Sequence, residues 1–297
     1  MPINSPASPR PAAVAAVVVA ALLTACSGGA DSPGSSSGER DDGAATTVTQ
    51  AGLSRSLPDD PVRMVLPTTG AETRWTQGLD VFVQQVARSA AVSCASERGV
   101  ALPEAVPPAF IRFSELPDLD FIARHGTSAS APVPTPAAGP TATRTATPAV
   151  QRRCASEGKA AADALRDLYA PLQQEWFGEL VSLRRDPAAT RALDALPDCL
   201  AEYGIEVPDE DGFFAVADTH MQTAAPADLP REGRVLGQAY AACMRPVEAV
   251  REPARTRLLS RFRTTHAEEL RSLRGALLPA LRKASAEHGV SLVFPAP

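Results

Sequence analysis

The chain has 297 residues, of which 44% are hydrophobic and 21% charged, and a formal net charge of −5. That length suffices for one large domain or two small ones. The mildly acidic balance argues against a nucleic-acid-binding protein, for which a basic face is expected. Lysine occurs only at Lys159 and Lys283, so arginine carries almost all of the positive charge.

The N-terminal segment is the most informative stretch. Arg10 is followed by an apolar run from Val14 to Leu23 and closed by Leu23-Thr24-Ala25-Cys26. The run is too short to span a bilayer as a permanent helix, and small residues precede a cut site as in a secretory signal. The closing tetrad resembles the lipobox of bacterial lipoproteins. That resemblance implies removal of residues 1–25, a thioether-linked diacylglycerol on Cys26, and acylation of the new amino group by a chain such as palmitate. Each buried methylene contributes about 0.8 kcal/mol, so two or three chains make a stable anchor where one does not. The expected location is the cell membrane, lipid-anchored on the extracytoplasmic face. A plain secreted protein with a chance cysteine is the alternative.

Residues 26–70 follow as a lipidated cysteine and flexible linker, rich in Ser, Gly, Asp and Thr up to about residue 60. Gly34-Ser35-Ser36-Ser37-Gly38 matches the nucleophile-elbow pattern of serine hydrolases by letter, but the elbow needs a strand before it and a helix after it, and a low-complexity Ser/Gly sequence predicts neither. A helical domain is expected over 71–297. From Trp75, Leu79, Phe82, Val83, Val86, Ala90 and Cys94 recur at steps of three and four, and Gly99 is placed as a C-cap. Residues 127–150, almost all Thr, Ser, Ala and Pro, read as a disordered loop. A second helix is expected from Gln151, with Leu165, Leu168, Leu172, Trp176 and Leu180 on one face and a kink at Pro171. Asp186-Pro187 opens a third helix ending at Gly204. A fourth helical region runs from Arg231 past Leu281, with Pro246, Pro253 and Pro279 as kinks or breaks. No segment alternates with period two, so the expected class is all-α.

A weak internal repeat sharpens this expectation. Cys94-Ala95-Ser96-Glu97-Arg98-Gly99-Val100 aligns without gaps on Cys199-Leu200-Ala201-Glu202-Tyr203-Gly204-Ile205, and Glu287-His288-Gly289-Val290 echoes it. Each full copy is followed by a loop and then by a cysteine early in the next helix, Cys154 or Cys243. The pattern predicts two disulfide-stapled helical hairpins in an irregular bundle, with pairs Cys94–Cys154 and Cys199–Cys243. The rival pairing, Cys94–Cys199 with Cys154–Cys243, stays open.

The Cys-x4-Gly-(Val/Ile) turns, together with Gln238-Ala239-Tyr240-Ala241-Ala242-Cys243 leading into an Arg-rich helix, resemble a loosely defined group of secreted lipoproteins from high-GC Gram-positive bacteria. The likeness covers roughly residues 75–290. Members typically carry a Cys-Met-x3-Gly segment, often after a Trp, and Leu196-Pro197-Asp198-Cys199-Leu200 departs from that. The shared motifs are structural, so the resemblance implies a fold and no activity.

Candidate chemistry is sparse. His125, His220, His266 and His288 have no metal-ligand spacing. His266 lies on the apolar stripe with Phe262 and Leu270 and is expected to be at least half-buried. Asp209-Glu210-Asp211-Gly212 with Asp218 resembles part of a calcium loop, but Val207 stands where the first carboxylate is needed. Among the aromatics, Trp75 and Trp176 are set on helices. Phe213 and Phe214, placed in a loop, form the candidate partner contact. No catalytic set, cofactor site or metal site is assigned. The expectation is therefore a non-enzymatic binding or accessory module, attached to the membrane through its lipid and acting on a protein or cell-envelope partner, with no role on nucleic acid. An envelope (cell-wall) hydrolase with a non-motif active site is the alternative. Two facing carboxylates, or a buried carboxylate beside His220, would favour it.

Overall fold

The described residues of the computed structural model are 51–104, 106, 108–110, 115–127, 131–134 and 144–297. Cys26, the leader and linker residues 26–50 lie outside them, as do residues 128–130 and 135–143 of the expected loop. Regular structure among the described residues is overwhelmingly helical: α1 (Thr73–Glu97), α2 (Leu119–His125), α3 (Pro148–Arg166), α4 (Ala170–Ser182), α5 (Pro187–Leu193), α6 (Leu196–Glu202), α7 (Glu210–Thr223), α8 (Leu229–Thr265) and α9 (Ala267–His288). A two-residue antiparallel pair joins β1 (Leu53–Ser54) to β2 (Phe294–Pro295), with Leu53 opposite Pro295.

The fold is all-α with two stapled hairpins, as the repeat predicts. Cys94 of α1 bonds Cys154 of α3, and Cys199 of α6 bonds Cys243 of α8. The α1–α3 approach is close enough that a side chain at Gly158 would strike Ala87 and Ala91. With Cys154 beside Cys94 and Gly158 beside Ala87, the two helices run antiparallel. Small residues at the crossing let the backbones come together, and the disulfide fixes their register.

Packed structure begins well before residue 71, which corrects the expected linker boundary. Val62, Met64, Val65 and Leu66 are fully buried in the main core. The carboxylate of Asp60 accepts from the Val62 N–H and starts a 3-10 turn over Pro61–Met64. The indole N–H of Trp75 donates to the Ser56 carbonyl at 3.0 Å. Composition hides this segment because its apolar residues fill one short turn between prolines and repeat no helical period. The expected loop 127–150 is also partly packed. Ala131 is buried, Gln85 Nε2 donates to the Pro134 carbonyl, and Thr147 caps α3 through the Val150 N–H.

Two cores share α8. The first gathers Leu79, Phe82, Val83 and Val86 of α1 with Trp176 of α4, Leu258, Leu259 and Phe262 of α8, and Leu270, Leu273 and Leu277 of α9. The second gathers Leu119 and Ile122 of α2, Leu196 and Leu200 of α6, Phe213 of α7, and Leu236 to Val247 of α8. The hairpins thus interlock, because α2 lies within the connection of the first and packs on the long arm of the second.

Four helix boundaries differ from expectation. Pro171 begins α4 rather than bending a continuous helix. The region from Asp186 forms two helices, since Pro197 opens α6 after a break at Asp194–Ala195. Pro246 and Pro253 do not break α8. They and the residues four positions earlier, Ala242 and Ala249, all face solvent, so the missing backbone hydrogen bonds fall on the side of the helix that water can reach. The break falls instead at His266, between α8 and α9, where ψ is +33°.

Candidate functional site

The disulfide turns are built alike. Gly99 and Gly204 adopt left-handed φ values of +66° and +75°, where a side chain would be strained. The next amide reaches back to close each helix: Val100 N–H to the Ala95 carbonyl at 3.1 Å, Ile205 N–H to the Leu200 carbonyl at 3.0 Å. Arg98 covers the first bridge, its Nη1 lying 3.1 Å from Cys94 Sγ. These features hold structure rather than present a reactive thiol.

The aromatic pair proposed for partner contact is placed differently. Phe213 and Phe214 lie in α7, not in a loop, and Phe213 is 0% exposed. Its ring stacks on Tyr240 at 4.8 Å, and the half-buried Phe214 packs on the same core. The acidic run that looked like a loop is the helix start. Asp209 accepts from the Gly212 N–H at 2.7 Å, and Glu210 accepts from the Tyr240 hydroxyl at 2.6 Å. The Tyr240 phenol, buried beside Glu210, is held well above the usual tyrosine range.

Trp176 is core, donating to the Pro67 carbonyl at 2.9 Å, while Arg63 and Arg74 lie over the Trp75 ring. His266 is half-buried on the Phe262 ring, with Nε2 3.2 Å from Glu175 Oε1. His288 precedes the C-cap Gly289, where a cation suits the helix end. His220 has Glu232 3.6 Å away, but that carboxylate is 34% exposed, so this pair is a surface contact and not the buried dyad a hydrolase would use.

The strongest convergence of charge is midway along α8, between the cores. Glu248, Arg251 and Arg255 are 8%, 8% and 2% exposed and sit on one helix face. Arg255 Nε donates to the Thr68 carbonyl at 2.8 Å, its Nη1 reaches the Glu115 carbonyl at 3.5 Å, and its Nη2 bonds Glu248. Arg251 Nη1 lies 3.7 Å from Glu248 Oε1. Arg184, from the 3-10 turn Leu183–Arg185, pairs with the Glu115 carboxylate. Glu115, Arg184, Arg251 and Arg255, with Leu180 and Leu183, line a cavity of about 10 Å³, room for a single water. Arginine keeps its proton at ordinary pH, and both carboxylates are paired with arginines, so the cluster is suited to charge recognition. Sequence reasoning missed it, although a signal existed. Glu248, Arg251 and Arg255 continue the stripe of Met244, Val247 and Leu258, where apolar residues are expected.

One further group is perturbed. Burial pushes the Asp80 carboxyl up to about 6, with Arg166 opposing the shift, and the same surroundings raise the Tyr169 phenol. Comparison with protein-family models, curated proteins and solved structures finds no match to this chain.

Proposed function

We propose that the chain is a lipid-anchored extracytoplasmic lipoprotein whose helical body is a binding or accessory module for an envelope partner. The observation that carries this reading is that all four cysteines after residue 26 pair as disulfides. Disulfides of this kind persist in oxidising compartments beyond the cytoplasmic membrane. A cysteine left over at position 26, directly behind a short apolar leader, is then free for lipid. The leader would deliver the chain, the acyl groups would hold it at the membrane, and the body would meet its partner within reach of the linker.

Mass spectrometry of the protein extracted from membranes tests the anchor. The expected N-terminal peptide starts at Cys26 and carries diacylglycerol; an unmodified thiol there, or an intact leader, overturns it. Crosslinking in intact cells followed by affinity purification tests the module. One envelope protein recovered in stoichiometric amount supports it, whereas turnover of a wall substrate by the purified chain, with no partner recovered, replaces it with the hydrolase.

A further inference from the structure

We propose that the cavity between α8, α4 and Glu115 is a carboxylate-binding site, with the Glu115 side chain as its resident occupant. It stands whether or not the chain is anchored. Among the described residues, three guanidinium groups, Arg184, Arg251 and Arg255, gather at the pocket with two carboxylates paired to them, Glu115 and Glu248. Arg251 is the least tightly paired of the three. It is nine-tenths buried and lines the cavity; its ion-pair partner among the described residues is Glu248, 3.7 Å away and already bonded to Arg255, and the Tyr240 phenol with its partner Glu210 lies within its electrostatic reach. A guanidinium has five donors in a planar fork, which a carboxylate matches with two parallel hydrogen bonds.

The present volume admits only a water, so a ligand must displace something. Glu115 is the group free to leave: its carboxylate is held at the mouth by Arg184, whose side chain is 60% exposed. Its backbone carbonyl, in contrast, is tied to Arg255. Swinging the side chain outward vacates the space of one carboxyl group without moving the main chain. Leu180 and Leu183 then offer an apolar wall to the stem of the incoming acid. The site therefore fits a terminal carboxylate on a short aliphatic stem, such as the end of a peptide. A tetrahedral phosphate is a poorer match for a space that a planar group fills.

Propionate is the probe, titrated into the full-length protein against sodium chloride at equal ionic strength, with melting temperature and calorimetry as readouts. Wild type should show a saturable rise in melting temperature with propionate and none with chloride. Glu115→Gln, which removes the internal competitor, should bind propionate roughly two- to five-fold more tightly, the factor a partly exposed ion pair implies. Arg184→Gln, at the exposed mouth and without risk to the fold, should weaken binding. Equal responses to propionate and chloride, a stronger response to phosphate, or a Glu115→Gln variant no tighter than wild type would overturn the site.

Discussion

Glu248 shows how much a single buried side chain can decide. It is the counter-charge for Arg255, which is almost completely buried, and the nearest carboxylate to Arg251. Removing one partner of a buried pair strands the other, at a cost of about 3–5 kcal/mol, whereas replacing both by apolar groups of similar volume is often nearly neutral. Glu248→Ala should therefore lose about that much in urea denaturation. Glu248→Met with Arg255→Met should lose markedly less, and a double variant as unstable as the single would show that the arginine's backbone contacts dominate. Asp80 works in the opposite direction. Its carboxyl, raised to about 6 in the fold against 3.8 ordinarily, binds its proton more tightly when folded. Its cost is absent below about pH 3.8, grows as pH rises, and is complete above 6. Asp80→Asn should gain about 1–2 kcal/mol at pH 7.5, after allowance for screening at a half-buried site, and that gain should shrink toward pH 4. A gain independent of pH would place its origin elsewhere.

At the scale of elements, what could be read in advance followed period and punctuation. The stripes of α1, α3 and α4 and the glycine stops at Gly99 and Gly204 are local signals, and they predicted helices, turns and the disulfide partners together. The start of α7 reads as a loop because Asp209-Glu210-Asp211-Gly212 has turn composition, and the same aspartate that suits a turn also caps a helix. α2, with seven residues, is too short to display a period. The charged face of α8 is legible as a break in its apolar stripe, but its partners Thr68 and Glu115 are not, since they come from distant segments. Glycines inside helices divide on the same ground. A side chain at Gly237 would strike the Ile122 carbonyl and come 2.9 Å from Gly126 Cα, because α2 crosses α8 there. Gly275 of α9 has open space around it. Gly237→Ala should lower stability by about 1–3 kcal/mol or more, and Gly275→Ala should raise it by about 0.5–1 kcal/mol, in thermal melts. Equal effects would mean that the α2–α8 crossing is loose.

For the molecule as a whole, the question is whether two stapled hairpins behave as one unit. The bridges span sequence separations of 60 and 44 residues. Chain entropy assigns each about 4 kcal/mol, a large share of the roughly 5–15 kcal/mol by which a domain is stable. Both tryptophans, Trp75 and Trp176, belong to the first core, whereas the Cys199–Cys243 bridge ties helices of the second. Were the cores independent, Cys199→Ser with Cys243→Ser would leave tryptophan fluorescence melting as in wild type while part of the helical signal melted early. Interlocking argues against that outcome. α8 contributes Leu258, Leu259 and Phe262 to one core and Leu236 to Val247 to the other, so loosening its first half removes a wall from both. The tryptophan and circular-dichroism transitions should therefore shift downward together and remain superimposed. Separation of the two curves would show that α8 transmits little between its ends, and that the charged cluster at its centre is a seam rather than a clasp.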